Sequence, residues 1–421
     1  MKIKNILHWI FEVTNKKDQK VITILGVNFH YKRPEKMYIF EHIFCYFIRK
    51  FCKIKKNKIV FVTSTSWQYA DNPKYIAEEL LKREEANNLE LVWIYVNQTE
   101  KELIPNSFKL VKYTSIKGLF ELLTSKVWIT NSHLMFPLKN GVVKNKETLY
   151  FQTWHGSMGI KKMDADAKNE YENLGWYKWQ KMSAESFNYI FVDSDFEKHA
   201  YTTGFWGYGE ILKLGKARDS IFYKDPTPYI EKVKGFYNIP KDNKILLYAP
   251  TWRSDKRCNC YNIDIKALKK ALNKRFGGDW SILIRAHYLM PKAIFNALYD
   301  ENEVINASAY IDMQELLVAA DVLISDYSSC VPEYTILKKP SFLYATDIEK
   351  YENGFYYPLT DLPSPLATDN YELINNVLNF DENLFKQKAE QFLIDKGHQD
   401  DENSSVRIVD FILEKMNEKS K

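Results

Sequence analysis

Cysteine is scarce in this chain of 421 residues: Cys45, Cys52, Cys258, Cys260 and Cys330 form an odd, scattered set without a CxxC pair. That argues against a disulfide framework and suits a reducing compartment. Long apolar runs are missing too. The longest candidate, Tyr38 to Ile48, contains Glu41 and His42 and falls short of the roughly 18 apolar residues that a membrane-spanning helix needs. The amino terminus has two lysines and a short apolar stretch, but Glu12 follows and no small-residue cleavage site does, so no secretory signal is expected. No short repeat or low-complexity segment occurs. Nor is there a GxxxxGK[ST] loop, a GxGxxG after a strand, a GxSxG elbow or an HExxH helix. P-loop NTPase, dinucleotide oxidoreductase, α/β-hydrolase and zincin readings therefore lose their support. No DxD or tight carboxylate cluster presents itself as a divalent-metal site, so neither a metal nor a cofactor is expected. The charge of a bound diphosphate would then fall to Arg, Lys, His and helix N-termini.

What is present is globular: 45% hydrophobic and 27% charged residues, in a length that suggests two domains. The net charge of +5 hides an asymmetry, with residues 1–58 at +10 and the remainder at −5. In EHIFCYFIRKFCKIKKNK, Phe44, Phe47, Ile48 and Phe51 recur at helical spacing beside Arg49, Lys50, Lys53, Lys55 and Lys56. Such a basic amphipathic surface suits an anionic membrane face or, equally, packing on the next domain. No nucleic-acid fold signature accompanies it, and no nucleic-acid partner is expected.

From position 58 short apolar runs alternate with helical stretches. Residues 58–64, 89–96, 127–131, 149–154 and 189–194 read as buried parallel strands, with an amphipathic helix over 75–87. A Pro-punctuated stretch, KDPTPYIEKVKGFYNIPKDN, marks a boundary. Beyond it 244–250, 280–287, 321–329 and 340–345 repeat the strand theme, and Asp312 to Glu315 reads as a capping box. The expected architecture is α/β: a basic segment over 1–57, then two doubly wound domains over 58–224 and 225–421 with a cleft between them. The charged helical end, from about Asn379, is expected to pack back across the first domain.

Four segments put polar residues just after predicted strands, where open α/β sheets bind ligands. In WHGSMGIKKM, His155 suits a general base and Gly156 lets a substrate approach the backbone; a structural histidine at a strand end is the competing reading. In YAPTWRSD, Thr251, Trp252 and Arg253 offer a hydroxyl, an aromatic face and a permanent cation, or merely a core tryptophan beside a surface arginine. In RAHY, Arg285 and His287 alternate onto one face as an anion site would require. In SDYSSCVPEY, Asp326, Tyr327, Ser328 and Ser329 lead into a helix whose start can both be capped and receive a phosphate.

In this order the four segments resemble the CDP-glycerol glycerophosphotransferases of teichoic acid and capsule polymer synthesis. The resemblance runs from about Lys58 to Tyr357 and includes Ala70, Asp71, Asn72, Pro73 and Lys74, an SDNPK-like stretch. It implies a GT-B architecture, two Rossmann-like domains across a cleft, and transfer of glycerol phosphate from CDP-glycerol, or a related CDP-alditol, to a hydroxyl with release of CMP. It implies that His155 takes the acceptor proton and that His287 lies beside the donor diphosphate. Thr251, Arg253, Arg285, Ser328 and Ser329 are the expected phosphate contacts, with Trp252, Asp326 and Glu333 as candidate nucleotide contacts. Gly156, Ser157, Lys161 and Lys162 fall on the acceptor side. The chain reads WHGSMGIKK where the family commonly has WHGTPLKK, has Tyr288 where Pro is frequent, and has GKARD (215–219) where a GYPRND-like sequence is usual. The implied acceptor is a lipid-linked saccharide or polymer, and the implied location is the cytoplasmic face of a bacterial membrane, reached through the basic segment. A GT-B glycosyltransferase using a nucleotide sugar is the alternative, and a non-catalytic assembly partner a more distant one.

Overall fold

The computed structural model describes the backbone of residues 11–16, 19–24 and 27–32, together with residues 39–63, 69–96, 101–167, 175–251, 261–286, 295–296, 299–300, 302–350 and 354–418. Residues 1–10 of the basic segment, and Trp252, Arg253, His287 and Tyr288, lie outside the described residues. The segment expected to be one amphipathic surface contains a small antiparallel sheet, β1 (Phe11–Lys16), β2 (Gln19–Ile24) and β3 (Val27–Lys32), ahead of the helix Ile39–Phe51.

The first large sheet has seven strands: β4 (Lys55–Val62), β5 (Glu90–Tyr95), β6 (Lys109–Lys112), β7 (Ser125–Thr130), β8 (Leu149–Gln152), β9 (Tyr189–Val192) and β10 (Glu210–Lys213). They lie in the order β10-β9-β8-β7-β4-β5-β6, and all pairs are parallel. The second has six: β11 (Lys244–Ala249), β12 (Trp280–Ile284), β13 (Ile305–Asn306), β14 (Val322–Ser325), β15 (Ser341–Tyr344) and β16 (Leu366–Ala367). Their order is β13-β12-β11-β14-β15-β16, again parallel throughout. The winding direction reverses between β4 and β7 in one sheet and between β11 and β14 in the other, and at such a reversal the loops leave in opposite directions and open a crevice.

The central strands follow from composition. Ile59, Val60, Phe61 and Val62 are wholly buried because helices cover both faces of the sheet, and burying each side chain of this size contributes about 1.5–3 kcal/mol. Strand β4 begins at Lys55, three residues before the expected domain start. The helix Ser404–Asn417 returns to the first half, where Ile408, Val409 and Ile412 join the cluster of Ile76, Leu80 and Phe61.

The helix Ile39–Phe51 packs one face on the core and leaves the other exposed. Phe44 and Ile48 pack on the core of the first half, Cys45 is fully buried and donates to Asn140 O, and Glu41 is buried. Phe47 and Phe51, with Ile39, Phe40, Ile43 and Tyr46, face outward. Among the described residues no helix is long and apolar enough to cross a membrane.

Candidate active site

The loop after β8 carries His155 in an unusual backbone. Trp154, Gly156 and Met158 have φ of 52, 135 and 50°, so the chain zigzags through the left-handed region instead of entering a helix. For the two non-glycine residues that conformation costs on the order of 1–3 kcal/mol each and persists only when its surroundings hold it. The holding bonds are visible. Asn72 Nδ2 donates to Trp154 O at 3.1 Å, and Trp154 N donates to Gln152 Oε1 at 2.8 Å.

His155 is half-buried, its ring tilted against Trp154 with centroids 4.4 Å apart. Its Nδ1 lies 2.7 Å from Asn131 O, at the end of β7. A carbonyl only accepts, so Nδ1 carries the hydrogen and Nε2 is the basic nitrogen. Withdrawal from water holds the imidazole below its ordinary value, against the nearby Asp71 carboxylate and the Asn131 bond, which favour the charged form. The ring is therefore neutral at pH 7 and able to take a proton. Asp71, with φ of 62° at the start of the helix Asp71–Leu80, accepts from Asn131 Nδ2 at 2.9 Å. This bond bridges the ends of β4 and β7, across the first sheet's reversal.

The second sheet contributes a matching pair at its own reversal. Asp326, after β14, accepts from Thr251 N at 2.9 Å and from Thr251 Oγ1 at 2.6 Å, after β11. Ser328 and Ser329 are half-buried at the start of the short helix Cys330–Ile336. The two sheets present these ends to each other. A Cβ built on Gly156 would lie 3.0 Å from Ser329 Oγ and 3.8 Å from Glu333 Oε1, so glycine allows the histidine loop to meet the serine turn.

The other expected residues have these positions. Glu333, a candidate nucleotide contact, is 1% exposed. Its Oε1 accepts from Ser157 N at 3.1 Å and from Arg218 Nη2, and its Oε2 accepts from Gln314 Nε2 at 2.9 Å. Ser157 is fully buried, with its hydroxyl donating to the Asp193 carboxylate. Lys161 pairs by backbone with Phe355, and Lys162 N donates to Gly354 O at 3.2 Å, so this stretch is strapped to the second half. Arg285 donates from Nη1 to Tyr310 O.

Three features escaped the linear reading. Arg218, within GKARD, bonds Asp71 Oδ1 through Nη1 at 3.2 Å as well as Glu333, and its own N–H donates to Asn72 Oδ1 at 3.1 Å. Lys74 Nζ donates to Asp312 Oδ2 at 2.6 Å and Glu315 Oε1 at 3.2 Å, joining the halves by a buried ion pair. Finally, folding assembles a carboxylate cluster from residues far apart in the chain. Asp193, Asp219 and Asp400 bring oxygens within 4.8 Å of one another, close enough to hold a metal ion. His398 Nδ1 is 3.4 Å from Asp193 Oδ2, and Lys216 Nζ is 3.1 Å from Glu197 Oε2. Burial and the charge of Asp193 push Asp400 up to about 7 and Glu197 up to about 8, so part of this acidity is carried as protons near neutrality. Polar residues at strand ends were the available signal for Asn131 and Asp193; nothing local marks Asp400.

Fold and site together define an α/β protein with two parallel sheets of the GT-B-like kind, whose sheet ends meet around a neutral histidine. The chain belongs to the CDP-glycerol:poly(glycerophosphate) glycerophosphotransferase family, whose model matches residues 44–414. A teichoic acid glycerol-phosphate transferase of Staphylococcus aureus is 31% identical over 347 residues, 78% of this chain and 85% of that protein. A teichoic acid poly(glycerol phosphate) polymerase of Staphylococcus epidermidis is 30% identical over 361 residues, 80% of this chain and 48% of the polymerase. The chain thus spans about half the length of that polymerase. A solved structure of the wall teichoic acid polymerase TagF superposes with a TM-score of 0.75 at 28% identity, covering 89% of this chain and 93% of that one. A putative UDP-N-acetylglucosamine 2-epimerase of Listeria monocytogenes, at 13% identity and a TM-score of 0.51, shares the fold.

Proposed function

We propose that this protein transfers glycerol phosphate, or a related alditol phosphate, from a CDP-alditol to a hydroxyl of a lipid-linked or polymeric glycan acceptor in cell-surface polymer synthesis. The observation that carries the reading is His155, neutral, with Nδ1 committed to Asn131 O and Nε2 available, on a loop that touches the serine turn of the opposite half. The acceptor oxygen gives its proton to Nε2 and attacks the distal phosphorus of the donor. One P–O bond forms, the bond to the bridging oxygen breaks, and CMP leaves with the electron pair. Such a transfer depends on alignment and on neutralising phosphate charge more than on covalent help from the protein. Thr251, Arg253, Arg285, His287, Ser328 and Ser329 are the residues assigned to the donor phosphates. Trp252 and Asp326 are assigned to the nucleotide, and the Gly156 to Lys162 loop to the acceptor side. Family membership and the relatives' teichoic acid chemistry support the donor class.

The same reading has the protein work at an anionic membrane face on the cytoplasmic side. Its support is the outward face of the helix Ile39–Phe51, where Phe47 is 51% and Phe51 67% exposed beside Arg49 and Lys50. Aromatic side chains with adjacent cations suit the headgroup boundary of such a bilayer.

The deciding experiment is nucleotide release with CDP-glycerol, CDP-ribitol or a UDP-sugar and a lipid-linked or glycan acceptor. Acceptor-dependent CMP is the expected product. UDP from a UDP-sugar, with both CDP-alditols inert, would transfer the protein to the glycosyltransferases.

A further inference from the structure

We propose that Glu333 and Arg218 are positioning residues that hold the His155 loop in register with the serine turn of the opposite half. The inference rests on the reading of His155 as the base.

The bonds form a closed circuit. His155 Nδ1 donates to Asn131 O, Asn131 Nδ2 to Asp71 Oδ2, and Arg218 Nη1 to Asp71 Oδ1. The other arm of the same guanidinium donates to Glu333, whose Oε1 also accepts from Ser157 N, two residues after the histidine. Every side chain in the circuit except the histidine is less than a tenth exposed. Glu333 sits one helical turn beyond Ser329, so whatever orients that turn also orients the carboxylate gripping the loop.

Two arguments assign this circuit to geometry and not merely to stability. Buried ion pairs are weak stabilisers, because the desolvation of both partners offsets most of their attraction. The loop itself needs an external grip: Trp154 and Met158 both stand at positive φ, and Gly156 leaves no room for a side chain against Ser329. Only a planar, two-armed cation spans Asp71 and Glu333 together, and a lysine reaches one of them.

The test uses the full chain with Glu333→Gln and Arg218→Lys, read by CMP release and by nitrogen NMR of 15N-histidine-labelled protein, the His155 signal being identified by its loss in His155→Ala. Both variants lose part of a buried ion pair and are expected to melt below the wild type while staying folded at assay temperature. They are expected to lose about tenfold or more in kcat, with KM for CDP-glycerol changed less than about twofold, since a small displacement of a reacting group costs rate and not donor affinity. The ring is expected to be the Nδ1–H tautomer in the wild type and a tautomer mixture in the variants. Should E333Q fail to fold, R218K, which keeps the buried charge, gives the same reading. Wild-type kcat in the variants, a loss confined to KM, or an unchanged ring signal would overturn the positioning role. If the wild type releases no CMP from CDP-glycerol, the proposed reaction fails on its own, and the ring signal still decides the positioning.

Discussion

Two helices of the first half treat their side chains in opposite ways. The helix Asp71–Leu80 buries Asp71, Asn72 and Lys74, the last 8% exposed, whereas Ile39–Phe51 leaves Phe51 67% exposed and buries Glu41. Polarity does not decide which side chains are covered; the surface met by each face does. The first helix faces the second half of the molecule, where Asp312 and Glu315 receive the lysine and Asp312 also accepts from Tyr75 OH at 2.9 Å. The second spends Phe44, Cys45 and Ile48 on the core and presents the rest of its aromatic surface outward.

The contrast is broken most strongly at the histidine that the polar side of the molecule surrounds. His155→Ala is expected to lower kcat by roughly a hundredfold to ten-thousandfold, the usual worth of a general base, while the affinity for CDP-glycerol, measured by calorimetry, stays near wild type. Near-wild-type turnover would remove the base assignment.

Next in size is the joint between the halves. Lys74→Ala takes the cation from the buried carboxylate of Asp312, while Glu315 keeps Lys232 at 2.7 Å, and should cost about 3 kcal/mol in denaturant unfolding. Burial alone would push the Lys74 ammonium down, but Asp312, Glu78 and Glu315 together raise it. Asp312 is lowered: burial opposes its charge, and the lysine pair and its hydrogen bonds outweigh that. A carboxylate with a depressed folded value contributes stability above its unfolded value, near 4, that is lost as pH falls through the folded one. The K74A deficit should therefore shrink as acid unfolding is approached.

A milder effect concerns pH and rate. Because burial holds the His155 imidazole below its ordinary value of about 6.5, its basic form prevails at neutrality in the free protein, so kcat/KM should be flat near pH 7 and fall through an inflection below 6.5. An inflection above 7 would contradict the neutral, half-buried ring.

The outer helix supplies the smallest change in stability and the sharpest contrast. Phe47→Ser with Phe51→Ser should shift unfolding free energy by no more than about 0.5 kcal/mol per site, as exposed positions do, yet weaken sedimentation with anionic vesicles several-fold. Equal vesicle binding would detach the membrane role from this face. Removing everything before Lys58 would be a poorer test, because it also takes away Phe44, Cys45 and Ile48 from the core and the first residues of β4.

The strands legible in the sequence are the central ones, whose continuous apolar runs reflect cover on both faces. β6, β10, β13 and β16 went unread, and all four are edges. KLVK and EILK carry lysines and half-exposed positions, and edge strands of this kind lack the apolar signature while their charges discourage pairing with other chains. β1 to β3 hid within a basic segment read for its charge. The helix expected from 75 to 87 lies earlier, at Asp71–Leu80, starting from an Asp71 whose left-handed backbone propensity does not anticipate, and a separate 3-10 turn, Glu84–Asn88, follows it.

The sequence by itself determined the alternation of strand and helix, the two series of parallel strands, and the polar segments that end strands. These are local properties: a run of β-branched residues and a strand-terminal histidine stand within a few residues of each other. Tertiary structure alone decided what those segments touch. Glu333 meets Ser157 and Arg218, and Asp193 meets Asp219 and Asp400, across separations that no window of sequence spans. The physical reason is that a buried charge must find its partners, and those partners are supplied by whichever loops the reversed winding of two sheets brings together.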